Sequence, residues 1–229
     1  MRQKSAGMFA NAIGGSRADF ERMQARLQTG DVVMTPGYLR MEQVVTTTSA
    51  VTFTVAENAA VPIVTEKRLK LNDAFLAQNI LIGYSTRLTA DAVSSQVLHS
   101  FPNDKVLTTA ASLNAARALY NSQFGIRMNS TVLIDGLDVL ACLRADTAQS
   151  GTAVSAVATT GVVGQSFWGQ DSAFKALVPN VLFNGTGNNQ VVVQLPESVT
   201  FTLAATTISV VCMVRGWLLQ NGGIQRAER

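Results

Sequence analysis

Side chains able to do chemistry are few in this sequence. One histidine, His99, lies in the run LHSFPND. A single imidazole cannot build a His-rich metal site, and no carboxylates stand around it at ligand spacing. Its expected place is a loop or an interface. Asp135 and Asp138 flank the bend IDGLD. Paired carboxylates can work as acid and base, or hold calcium. Either task needs a matched partner or further oxygen ligands, and no DxDxDG-type loop is present. Turn chemistry at Asp-Gly accounts for Asp135 by itself. The glycine-rich stretch Asn184 to Asn189 has no Walker lysine after it and opens no predicted helix, so it is not a phosphate cradle. Serines are plentiful, but there is no G-x-S-x-G elbow and one histidine alone to serve as base. Cys142 and Cys212 sit in apolar, strand-like runs (LACLRA and VVCMVR). They read as buried, reduced thiols acting as small hydrophobes. Two cysteines are too few for a disulfide scaffold. The expectation is a protein without catalytic residues, cofactor or metal.

The elements that would carry these residues change character along the chain. Residues 1–30 stand apart as an arm. Gly14-Gly15 makes a hinge, and SRADFERMQARLQTG then follows a helical pattern. Ser16 and Asp19 form a capping-box-like pair. Phe20, Met23 and Leu27 make one apolar stripe, and Gly30 ends the pattern. Through residue 29 there are five basic residues (Arg2, Lys4, Arg17, Arg22, Arg26) against two acidic ones (Asp19, Glu21). That excess of three equals the net charge of the whole chain, +3. The remainder, taken as one domain over residues 31–229, is close to neutral. The five basic residues are the candidate contacts to nucleic acid or another anionic surface. Phe20, Met23 and Leu27 are the candidate contacts between subunits. Met8, Phe9 and Ile13 could insert shallowly into lipid.

After residue 31 the period becomes two. AVTFTVA alternates Val51, Phe53 and Val55 against threonines, NILIGYSTRL alternates Ile80, Ile82 and Tyr84, and VTFTLA alternates Val199, Phe201 and Leu203. NQVVVQL and TISVVCMVRGWLLQ are apolar on both faces, which predicts central strands. STVLIDGLDVLACL reads as two strand pieces bent at Asp135-Gly136. One Ala-rich segment predicts a helix over 110–122, and a weaker helix is expected near 89–98. Residues 145–165 read as a long loop or an edge strand. About eight strands, with one or two helical insertions and an arm helix, predict an all-β, two-sheet sandwich with the length of a single jelly roll.

Composition points to a life among partners. Hydrophobic residues make up 47% and charged residues 14%, where about 25% charge is usual. The core is easily filled, and little charge remains to cover a free surface. The longest apolar run, Ile208 to Leu219, is broken by Arg215 and is too short to span a bilayer. The sequons at Asn129 and Asn184 are chance matches without a secretory signal.

The layout resembles jelly-roll coat proteins of tailless icosahedral viruses, including bacteriophages with internal membranes. The resembling pieces are the basic arm with its helix, AVTFTVA, TEKRLKLNDAFLAQNILIGY, ALYNSQFGIRMNSTVLIDGLDVL, LFNGTGNNQVVVQLPE and ISVVCMVRGWLLQNGG. The resemblance implies a structural protein made in a host cytoplasm and assembled with copies of itself into a capsid. Other virion proteins would be partners, and the arm would meet neighbours, genome or inner membrane. Many such phages use a double jelly roll, for which 229 residues are too few. A single-barrel coat, a vertex protein or another virion component fits the length. The alternative is a carbohydrate- or receptor-binding sandwich, for which Trp168 in SFWGQD is the loop aromatic; Trp217 belongs to a strand core.

Overall fold

The structure, a computed structural model, describes residue 9 and residues 11–57, 65–144 and 174–223. The expected loop or edge strand over 145–165 lies wholly outside the described residues, and Trp168, Arg2, Lys4 and Met8 also lie outside them.

Among the described residues there are ten strands and two α-helices. They are β1 (Ala12–Ile13), α1 (Arg17–Thr29), β2 (Val33–Val44), β3 (Thr47–Thr54), β4 (Ala74–Leu88), β5 (Val97–His99), α2 (Ala110–Tyr120), β6 (Gln123–Met128), β7 (Thr131–Asp138), β8 (Lys175–Asn184), β9 (Asn189–Thr200) and β10 (Thr206–Gln220). One sheet has six strands in the order β1-β8-β4-β10-β2, with β5 also on β4; the other has four in the order β3-β9-β6-β7. Inward side chains of both sheets share one core. Phe53, Phe124, Ile126, Val191 and Val193 come from the smaller sheet; Met41, Ile80, Ile82, Phe183, Val210 and Cys212 come from the larger. The chain is an all-β sandwich of two sheets. Among the described residues no helix is long and apolar enough to cross a membrane.

Several expectations change. The predicted weak helix near 89–98 is a short 3₁₀ turn, Val93–Ser95, followed by β5. Ser95 Oγ donates to the Ala92 carbonyl at 2.7 Å, the kind of local serine bond that competes with helix. The bend at Asp135-Gly136 does not split the strand. Gly136 takes a φ of 67° inside β7, and the ladder to β6 shifts register there, as a bulge with a left-handed glycine does. Cys142 lies in a 3₁₀ turn, Val139–Cys142, rather than a strand. The last part of VTFTLA leaves the ladder, since β9 ends at Thr200.

One glycine sets how closely the central strands β10 and β4 approach. Gly216 of β10 lies opposite Gly37 of β2. A Cβ on Gly216 would stand 1.9 Å from the Leu76 carbonyl oxygen in β4. Gly216→Ala must therefore push β10 from β4 along the middle of the larger sheet. Urea unfolding should show a loss of about 3 kcal/mol or more; a loss within ~0.5 kcal/mol, the usual range for surface changes, would contradict this packing.

Candidate functional site

Three places gather polar or charged side chains. The first is α1 and the sheet beneath it. Ser16 Oγ accepts from the Asp19 N–H at 3.2 Å, and Asp19 Oδ2 accepts from the Ser16 N–H at 3.0 Å. This capping box starts the helix, and Gly30 ends it at φ 87°. Met23 is buried, and Phe20 and Leu27 are half-buried. All three pack on Ala74, Leu76, Leu182, Leu219 and Trp217 of their own chain, which form a second apolar cluster on the outer face of the larger sheet. Phe9 belongs to this cluster, its ring 5.9 Å from that of Phe20. Ile13 packs against the main core. The apolar stripe of the arm thus already has an intramolecular seat.

The helix arginines differ. Arg17 pairs with Glu21 at 2.9 Å, with 93% and 64% of the two side chains exposed; such a pair contributes little. Arg26 donates to the Asn221 carbonyl at 2.7 Å. Arg22 is exposed and, among the described residues, makes no such bond. Arg22 and Arg26 line a cleft of about 460 Å³ with Asn72, Thr186 and Asn221.

The second place is a charged clip on the edge strand β2, which composition gave no hint of. Arg40 pairs with Glu42 at 2.6 Å, and Arg68 with Glu66 at 2.9 Å. The carboxylates are nearly sealed, with 1% and 2% of the side chains exposed. Glu66 Oε1 also accepts the Glu42 N–H at 2.8 Å, and Gln96 donates to Glu42 Oε2 at 2.9 Å. Arg40 and Lys67 exchange two backbone bonds of 2.8 Å each, and the Lys67 ammonium stands 4.6 Å from the Tyr38 ring centre. Residues 65–69 are thereby fastened to the sheet edge. Both carboxylates are paired with arginines and Lys67 rests over a ring, so the clip is architecture rather than a reactive centre.

The third place surrounds His99. It is not in a loop, one of the two places the sequence suggested, but on β5 with 1% exposure. Its ring stacks on Tyr84 at 4.9 Å. Nε2 lies 2.9 Å from Thr86 Oγ1, while Nδ1 is buried without a partner. Tyr120 donates to the His99 carbonyl at 3.1 Å, and Tyr84 to the Phe101 carbonyl at 3.0 Å. Burial pushes the imidazole down from 6.5 to about 4. It also raises both tyrosines and holds the Cys142 thiol up at about 11. No substrate can reach this cluster, and its groups are held neutral.

No family model, curated protein or solved structure matches this chain. The site residues therefore stand on geometry. Among the described residues, no three His, Cys, Asp or Glu gather as metal ligands. Asp138 has a structural task, since its Oδ1 accepts the Leu140 N–H at 2.8 Å. Asp135 has no such partner and lies on the outer face of the smaller sheet, beside Arg127 and Gln123. Sequence reasoning passed over the two neighbours because strand pairing alone brings them together. Cys142 and Cys212 are both free and buried.

Two measurements test this geometry. Met23→Ala should cost about 2–5 kcal/mol, as removal of a buried Met does, whereas Arg17→Ala should change stability by less than ~1 kcal/mol. The imidazole has a lower pKa folded than unfolded, so the unfolded chain takes up the proton first. The stability tied to neutral His99 is whole above about 6.5 and drains as pH falls to about 4. At ~1.4 kcal/mol per pH decade the loss approaches about 3 kcal/mol. His99→Gln should flatten that part of the urea-midpoint profile; an unchanged slope between pH 6.5 and 4 would contradict it.

Proposed function

We propose that this chain is a structural protein of a virus particle, folded as a single jelly roll and assembling with copies of itself into the shell. One observation carries this reading: the order and partners of the eight long strands. In the larger sheet β2, β10, β4 and β8 are neighbours, and in the smaller β3, β9, β6 and β7. The antiparallel pairs β2·β10, β3·β9, β4·β8 and β6·β7 nest the outermost strands in sequence around the innermost. A long hairpin rolled over on itself has this order, and it is the pattern of jelly rolls in viral capsid proteins, lectins and cupins. The step from architecture to role is an analogy. Two further observations favour a shell over a lectin or cupin role. Charge is sparse, at 14%. The edge strand β2 leaves Val33, Tyr38 and Val44 about half exposed, at 50%, 45% and 53%.

In this reading α1 serves first as a cover for its own sheet. What it offers to partners is its outer side: Arg17, Arg22, Arg26 and the exposed flanks of Phe20 and Leu27. Arg2 and Lys4 precede it in the chain. Phosphate groups of a packaged nucleic acid are the polyanion these cations would meet. The domain of residues 31–229 would form the shell wall, with other virion proteins as neighbours.

Light scattering and negative-stain microscopy test the proposal together. The purified chain should form closed particles many times larger than its 24.4 kDa subunit. A lasting monomer at high concentration and moderate salt would refute it. Replacing Arg17, Arg22 and Arg26 by Gln should leave the subunit folded. It should weaken nucleic-acid binding and lower the salt slope by about one per arginine that contacts phosphate.

A further inference from the structure

We propose that the outer face of the four-stranded sheet binds a neutral saccharide, in the notch above Gly125. This does not rest on the assembly reading and goes beyond it.

The notch is built by strand pairing. Gln123, Gly125 and Arg127 are alternate residues of β6 and share one face. On β9, Gln194 stands opposite Gln123, and Val192 opposite Gly125. On the other flank the β7 bulge turns Asp135 inward: its Oδ1 lies 4.0 Å from where a Gly125 Cβ would be. That Cβ would also meet the Ile134 carbonyl at 3.1 Å. Gly125 therefore leaves an open floor that a side chain would fill. The resulting cleft has a volume of about 320 Å³, at the small end of ligand sites.

The walls define the ligand. Among the described residues, the side chains of Gln123, Arg127, Asp135 and Gln194 make no hydrogen bond or ion pair with the rest of the chain. Each glutamine offers a donor and an acceptor, Asp135 two acceptors, and Arg127 a planar fork of donors. Sugar hydroxyls both donate and accept, so neighbouring hydroxyls can satisfy this mixed set. One carboxylate and one guanidinium cancel, which favours a neutral ligand over an anion or a cation. Val192 and Pro196 supply apolar surface for the C–H side of a ring. The single aromatic residue of the cleft, Phe124, is buried in the core with 1% exposure. Without ring stacking the site is weak.

The location is also apt. The helix with its arginines covers the outer face of the larger sheet, so the notch lies on the opposite side of the sandwich. The basic face of the helix and the neutral notch are thus separated by the full thickness of the fold.

An array of neutral glycans probed with the labelled full chain tests this, followed by calorimetric titration of the best-bound glycan. Asp135→Ala and Gln194→Ala are the variants, since both side chains are exposed and outside the core. We expect saturable binding to at least one glycan with a Kd on the order of 1 mM, weakened about tenfold or more by either change. Absence of binding to every neutral glycan would overturn the proposal, as would binding that both variants retain. If the variants instead alter particle size and leave no glycan effect, the face is a contact between copies and the proposal fails. A wild type that stays monomeric yet binds glycan would sink the assembly reading alone.

Discussion

The larger sheet is apolar on both faces, and each face must be covered. In β10, Val210, Cys212 and Val214 point to the sandwich core, while Trp217 and Leu219 point the other way. In β8, Val181 and Phe183 face inward and Leu182 outward. The smaller sheet covers one side. On the other, Met23, Phe20 and Leu27 of α1 cover the end of the sheet near Ala74, Leu76 and Leu219. At about 25 cal/mol per Å² of apolar surface, neither layer can be omitted cheaply. The same constraint explains the position of the arm. Its helix looks detachable in sequence, with a hinge before it and a glycine after it, yet its buried side is the lid of its own sheet.

The strand readings succeeded where alternation was local and failed where a partner strand sets the face. Val51, Phe53 and Val55 alternate against threonines, and all three are buried. The helix expected over 110–122 appears as Ala110–Tyr120, capped by Thr109, whose Oγ1 accepts the Ser112 N–H. By contrast β2 contains Pro36 and Gly37, which break any strand pattern. Proline is tolerated there because β2 is an edge, and the Gly37 gap is lined by Phe75, 3.6 Å from a Cβ built on it. In β4 the register skips Gln78: Asn79 pairs with Arg215 and Ala77 with Gly216. The inward set therefore moves from Phe75 and Ala77 to Ile80, Ile82 and Tyr84. A single bulged residue flips every side chain after it, and nothing in the composition of the run AFLAQNILIGY marks which residue it is.

The polar sites were less legible for the same reason. The arm's cations and cap could be read because they lie within one helix. His99 read as a loop or interface residue from the run LHSFPND, whereas its neighbours are Tyr84 on one element and Tyr120 on another. The clip joins Arg40 and Glu42 to Glu66 and Gln96, with bonded residues separated by up to 54 positions. The Gly125 notch needs β9, β6 and β7 in register. Each of these is a product of pairing across the sheet, and spacing along the chain carries no trace of it.

The treatment of the sheet edges bears on how copies could meet. An exposed strand edge invites another chain to add to it. On β2 that route is obstructed twice. Pro36 lacks an N–H to offer, and further along the Arg40 and Glu42 N–H groups are already taken by the Lys67 carbonyl and the Glu66 carboxylate. On β7, the opposite sheet's edge, the bulge at Gly136 breaks the even row of donors and acceptors. These two of the four sheet edges, β2 and β7, are thus closed to regular strand addition by different devices; β1 and β3 are the others. If copies assemble as proposed, contacts along these two edges would fall to side chains, such as Val33, Tyr38 and Val44 beside the clip. Such contacts can be many and individually weak, which would let the proposed shell correct misplaced subunits; a ladder of backbone bonds, once formed in the wrong register, would not release so readily.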